Sequence, residues 1–163
     1  FFIASVNAYG QPYIQHRGGP PGFLKVIDEH TLGFADFTGN RQYITVGNLN
    51  DNPKAFIFMM DFAKRRRVKI WGRAKVVEDD RVFREKLHDP QYGGDPERFF
   101  LFHVDAWDVN CPKHIKPRFT EEEIEESASA LRTWIKELEA RVRQCCPQEV
   151  AGTQGGENAF STH

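Results

Sequence analysis

The chain has 163 residues and a mass of 18.8 kDa, one domain's worth, and is long enough to bury a sizeable core. A formal net charge of -1, with 28% charged residues, excludes a global field that would draw nucleic acid or an anionic membrane, so any basic site must be local. The most apolar run, Ala55 to Met60, is cut by Asp61 and is far too short to span a bilayer.

Fourteen phenylalanines point to a sheet-rich core. Three cysteines, Cys111, Cys145 and Cys146, make no disulfide framework and fit a reducing compartment such as the cytoplasm. The chain starts on Phe1 rather than methionine, which reads as a trimmed N-terminus, so no targeting segment is judged.

In chain order, FFIASVN and PYIQHR are β-type runs joined by AYGQ, with Gly10 at the left-handed turn position. GFLKVID alternates as a half-buried strand, and EHT turns the chain into LGFADF. TGN, residues 38–40, breaks the pattern, and RQYITVGNLNDNP predicts a short helix ending before Pro53. KAFIFMMDF and RVKIWGRAKVVE form the clearest hairpin, with AKRR between them. In the second strand Val68, Ile70, Gly72 and Ala74 share one face and Arg67, Lys69, Trp71 and Arg73 the other.

DDRVFREKLHD then predicts a short helix, PQYGGDPE a loop, and RFFLFHVDAWDVN a long last strand. Beyond it, Thr120 and Glu123 make a capping box. The helix that follows repeats Ile124, Ala128, Leu131, Ile135, Leu138 and Val142 as one apolar seam, and Pro147 stops it. The expected organisation is a barrel domain over 1–118, a helix over 119–146 packed on the barrel or on a dimer partner, and a disordered tail over 147–163.

Several stretches carry possible chemistry. YIQHRGGPPGF places Gln15, His16 and Arg17 at a strand end, with Gln15 and Arg17 on one face. Arg17 suits a phosphate or carboxylate, and Gly18, Gly19 and Gly22 permit close backbone approach. The same stretch also reads as a stiff β connection with a surface arginine. FTGNRQ, opening a helix, offers backbone N–H groups, a hydroxyl, an amide and a guanidinium to an anion; the plainer alternative is an N-capping turn.

Lys64 to Arg67 is a basic run that reads first as a solvated hairpin turn. Neutral net charge and the lack of interleaved aromatics argue against nucleic acid. Arg67 and Lys69 continue on one face of the strand, where they could line a site. Cys111 and His114 form a Cys-x-x-His pair with no partner pair at a supporting spacing, so no metal is assigned. With no recognisable acid, base or nucleophile, this anion-binding set suits a cofactor that brings its own reactivity.

Taken in order, FFIASVNAYGQPYIQHRGGPPGFLKVID, LGFADFTGNRQYITVGNLNDNPKAFIFMMDF and RVKIWGRAKVV resemble the pyridoxamine 5′-phosphate oxidase-like flavoproteins, the FMN-binding split barrel superfamily. The likeness covers residues 1–78 and, more weakly, the strand to Arg118. It implies a mainly β fold, a six-stranded antiparallel Greek-key split barrel with flanking helices, that forms a homodimer with FMN at the subunit interface.

On matching positions the resemblance implies phosphate anchors at Arg17 or Lys25 and at Asn40 with Arg41, in a turn lined by Phe37, Thr38 and Gly39. It puts a polar contact near Arg67 and Lys69. It places Gln15, His16 and Asn48 towards the ribityl chain or ring, with Asn110 and His114 reaching in from the last segment. The oxidase's arginine-rich C-terminal segment is not recognisable, and RGGPPGFLK spreads Arg17 and Lys25 around an inserted loop, so vitamin B6 oxidation is not implied. The expectation is an FMN-dependent oxidoreductase acting on an unknown small substrate; the alternatives are a non-catalytic flavin carrier or sensor, and an interaction module built on the helical seam.

Overall fold

The computed structural model describes residues 1–39, 41–78, 81–110 and 112–145. They divide into two units, Phe1–Pro117 and a second that begins at Arg118. The tail expected from residue 147 lies outside the described residues.

The first unit is one antiparallel sheet of seven strands: β1 (Phe2–Val6), β2 (Pro12–His16), β3 (Lys25–Asp28), β4 (Thr31–Phe37), β5 (Lys54–Asp61), β6 (Arg66–Glu78) and β7 (Pro96–Asn110). Their spatial order is β2-β1-β5-β6-β7-β4-β3, with β2 and β3 at the two edges. The mainly β, antiparallel expectation holds, with seven strands in an order that does not close where a six-stranded split barrel was expected. Tight turns set the two edge strands against their neighbours. Asn7 Oδ1 accepts hydrogen bonds from the backbone of Tyr9 and Gln11, both at 2.9 Å, folding β2 onto β1. Asp28 Oδ1 accepts the His30 N–H at 2.9 Å and folds β4 onto β3.

The open sheet nevertheless curls, because strands far apart in its order touch through their side chains. The Phe1 ring, just before β1, lies 5.2 Å edge-on from Phe34 of β4. Phe34 in turn stacks on Phe100 of β7 at 5.0 Å. Around these rings Ile3, Ile57, Ile70, Ala74 and Phe102 complete the core. Each fully buried phenylalanine contributes about 2–3 kcal/mol by leaving water.

The predicted alternation in β6 is observed, with Ile70, Gly72 and Ala74 buried and Trp71 and Arg73 exposed. Its pairing with β7 slips once: Trp71 faces Ala106, Gly72 faces Val104, and Asp105 is left as a bulge. A Cβ on Gly72 would stand 2.0 Å from the His103 carbonyl oxygen, so only glycine fits there.

Helix α1 (Ile44–Asp51) forms where RQYITVGNLNDNP predicts one. Thr45, Asn48 and Leu49 are its buried residues, and Asn48 Nδ2 donates to Ser5 Oγ on β1 at 3.0 Å. Helix α2 (Arg81–Leu87) sets Leu87 against Ala35 and Phe99 on the other face of the sheet. In the second unit, α3 (Glu121–Cys145) starts at the predicted capping box. Thr120 N donates to Glu123 Oε2 at 2.8 Å, and Glu123 N donates to Thr120 Oγ1 at 3.2 Å.

Candidate functional site

A cleft of about 160 Å³ opens where the end of β2, the end of β4 and the turn before α1 meet. Its lining includes Gln15, His16 and Arg17 from the first, Asp36 and Phe37 from the second, and Gly39, Arg41 and Tyr43 from the third. Sheet curl creates it, since β2 and β4 lie far apart in the strand order.

The chain past β2 is pinned by Arg17 N donating to the Phe1 carbonyl at 2.8 Å. The side chain of Arg17 is then thoroughly engaged. Nη1 donates to Asp36 Oδ1, and Nη2 donates to Gln15 Oε1 at 3.1 Å. The guanidinium also lies 4.9 Å from the centre of the Phe100 ring. Arg17 Nε is buried with no hydrogen-bond partner among the described residues.

Gln15 Oε1 accepts from Thr45 Oγ1 as well, at 2.8 Å, which joins β2 to α1. Asp36 sits opposite Arg98 in the β4–β7 register, with Arg98 Nε 3.8 Å from Asp36 Oδ2. Arg98 Nη2 donates to Glu97 Oε2 at 2.9 Å, Tyr43 OH donates to the same oxygen at 3.0 Å, and the Arg98 guanidinium covers the Tyr43 ring at 4.4 Å.

Burial raises the carboxyl pKa of Asp36 above its ordinary value; Arg17 and Arg98 oppose that shift and Glu97 adds to it. Burial likewise lowers the pKa of Arg17, which Asp36 partly restores, and a guanidinium remains a cation throughout. Two arginines, Arg17 and Arg41, therefore face two carboxylates at the lining, and Arg98 behind them tips the balance positive.

Arg41 is the available charge. It is exposed, sits in the left-handed region at φ 57°, and makes no ion pair or hydrogen bond among the described residues. Beside it the first turn of α1 contains no acidic residue, and the N-cap Tyr43 makes no side-chain capping bond. Those backbone N–H groups are donors that an anion can use.

Of the residues singled out in the sequence, Gln15, His16, Arg17, Phe37, Gly39 and Arg41 come together in this cleft. Lys25 lines a separate hollow with Pro20, Pro21, Phe23 and Asp89, sharing only Phe37 with the cleft. Thr38 bonds instead to the Asp95 carbonyl. Asn48 is buried as the pin between α1 and β1. Arg67 and Lys69 pair with Asn110 and Asp108 on the β6–β7 ladder, away from this lining, and His114 is exposed in the loop after β7. Asn40 and the side chain of Asn110 lie outside the described residues.

Asp36, Tyr43, Thr45, Glu97 and Arg98 were not foreseen as site residues. LGFADF held a signal for Asp36, because an ionisable residue inside an otherwise apolar strand must find a partner. Among the described residues no group of histidine, cysteine, aspartate and glutamate is placed to hold a metal ion, and no described helix is long and apolar enough to cross a membrane.

The model of the family described as pyridoxamine 5′-phosphate oxidase matches residues 1–110, two thirds of the chain and every strand of the sheet. The chain belongs to the pyridoxamine 5′-phosphate oxidase family. Solved structures of low identity resemble this family member. HupZ of Group A Streptococcus is 21% identical with a TM-score of 0.46, over 65% of this chain and 80% of its own. An FMN-binding protein from Syntrophomonas wolfei is 14% identical with a TM-score of 0.48, over 68% and 76%. A pyridoxamine 5′-phosphate oxidase-related, FMN-binding protein from Nostoc punctiforme is 16% identical with a TM-score of 0.42, over 66% and 72%. No curated protein matches the chain.

Proposed function

We propose that this family member binds FMN in the β2–β4–α1 cleft and acts as an FMN-dependent oxidoreductase on a small substrate. The observation that carries the proposal is the donor set at one end of the cleft: the free guanidinium of Arg41, the unpartnered Nε of Arg17 and the uncapped first turn of α1. Together they fit a phosphate monoester better than any neutral group. Bound FMN supplies electron and hydride transfer at its N5.

The chain's own residues do the rest. Arg41 and the α1 N–H groups hold the phosphate, and Asp36 fixes the plane of the Arg17 fork. Gln15, its carbonyl already accepting twice, keeps an amide donor for a ribityl hydroxyl. His16 and Phe37 flank the mouth. Among the described residues, the cleft lining contains no serine, cysteine or lysine to act as a nucleophile, in keeping with a cofactor that carries the reactivity.

A homodimer is part of this proposal. Trp107 and Val109 pair with Ile70 and Val68 across the β6–β7 ladder and share their face, yet both are exposed in the single chain, Trp107 at 68%. An apolar face of this kind fits a self-complementary interface, and a second copy could then bring Arg67 and Lys69 to the flavin. The substrate need not be vitamin B6, since the C-terminal segment is a helix opening on three glutamates rather than an arginine-rich strand.

Two measurements test the reading. Fluorescence titration with FMN should saturate, and Arg41→Ala should weaken binding about tenfold. Anaerobic reduction of the FMN-loaded protein by nicotinamide cofactors, followed by reoxidation with candidate acceptors, tests turnover. A second reading, a flavin carrier or sensor, is favoured by the pairing of Asp36 and Glu97 with arginines, which leaves neither as an acid or base. Saturable binding with no turnover under any donor would establish it.

A further inference from the structure

Helix α3 gathers its apolar residues on one face. None of its 25 residues is buried, and Leu131 is 57% and Val142 56% exposed. Such a face in a helix about 37 Å long calls for an occupant.

The seam itself indicates which one. Its spacings of four and three alternate, an average of 3.5 residues, for about three heptads. In heptad terms Ala128, Ile135 and Val142 stand at a, and Ile124, Leu131, Leu138 and Cys145 stand at d. Within parallel coiled coils, β-branched residues at a, here Ile135 and Val142, with leucine at d favour two strands. A period of 3.5 also points to another helix rather than to a sheet, because it keeps one narrow stripe facing a supercoiled partner.

The flanking charges select the direction. Glu125, Arg132 and Glu139 occupy successive e positions, and Arg132 is bonded to Glu125 within the helix. Two copies aligned antiparallel in full register would set Glu125 against Glu139 and Arg132 against Arg132, so every e-to-e contact is repulsive. Aligned parallel, the g positions Ser127 and Trp134 meet Arg132 and Glu139, and no like charges face each other.

We infer that α3 pairs in parallel with α3 of a second copy, as a short two-stranded coiled coil. The inference rests on the proposed homodimer in one respect: a coiled coil of three heptads is marginal alone, and barrels already held together raise its effective concentration. Residues 111–119 between β7 and α3 can span about 30 Å when extended, enough slack for the two helices to meet.

Cys145 reports the geometry. It is free and exposed at the last d position, so a parallel pair sets it against its copy, within the Cα separation that a disulfide needs. In the antiparallel pair the two thiols would be roughly 36 Å apart.

The test uses the full chain with Cys111→Ser and Cys146→Ser, leaving Cys145 as its one thiol. Oxidised glutathione takes the two electrons, and light scattering reads the oligomeric state beforehand. The inference expects most chains to become disulfide-linked dimers. Leu131→Asp should cut the linking about tenfold or more while the melting temperature of the barrel holds, and Lys136→Asp, on the opposite face, should leave linking unchanged.

A dimer that does not link, or linking that survives Leu131→Asp, overturns the inference and leaves the barrel dimer standing. Linking in wild type together with a monomeric Leu131→Asp protein supports the coiled coil and removes the barrel dimer. A chain that is monomeric and does not link removes both.

Discussion

A carboxylate held away from water between guanidiniums survives only if it is fully paired, and Asp36 has Arg17 on one side and Arg98 on the other. Its pKa is raised, so the folded chain holds that proton more tightly than the unfolded chain does. Over the window between the ordinary carboxylate value and the raised one, stability therefore falls as pH rises. Asp36→Asn lacks this dependence, so wild type should lose melting temperature relative to the variant as pH rises through that window. The same substitution loosens the Arg17 fork that Asp36 holds in plane, and FMN titrations at neutral pH should show weaker phosphate binding by the variant.

Arg17 and Arg41 were legible in the sequence because arginines beside glycine-rich turns are an anion signal in themselves. Their partners were not. Nothing local tells which acid an arginine will meet across a curled sheet, and Asp36 lies 19 residues from Arg17 while Glu97 lies 54 from Tyr43. Lys25 was offered beside Arg17 as a phosphate anchor by the resemblance, but the inserted loop between them carries it to the neighbouring hollow.

At the scale of elements, the long β6–β7 ladder is the part of the sheet that turns on one residue. Gly72 lies at the bulge, where the His103 carbonyl takes the space of a side chain. Gly72→Ala should destabilise the chain by about 3 kcal/mol, read as a shifted midpoint in urea unfolding, because neither backbone can retreat without breaking the ladder. In the sequence this glycine was visible only as a member of an apolar face. The strands and helices themselves were legible through period-two and period-3.6 patterns, and the capping box located the start of α3 to the residue. The strand count implied by the resemblance was one short of the seven in the sheet, although the runs either side of the turns at Asn7 and Asp28 were read as separate strands.

For the whole molecule, the sheet order brings the edge strand β2 round to β4, and that curl turns two separate polar stretches into one cleft. The account stands or falls on whether the cleft recognises the phosphate of a flavin. If the phosphate is held by Arg41, Arg17 and the first turn of α1, a flavin without it loses at least one charge-assisted contact, about 1.5–3 kcal/mol. The direct measurement is calorimetric titration of the purified full chain with FMN and, separately, with riboflavin, which differs only by lacking the phosphate. The account predicts saturable binding of FMN and binding of riboflavin at least about tenfold weaker. Equal affinity for the two, or no heat with either, would contradict it.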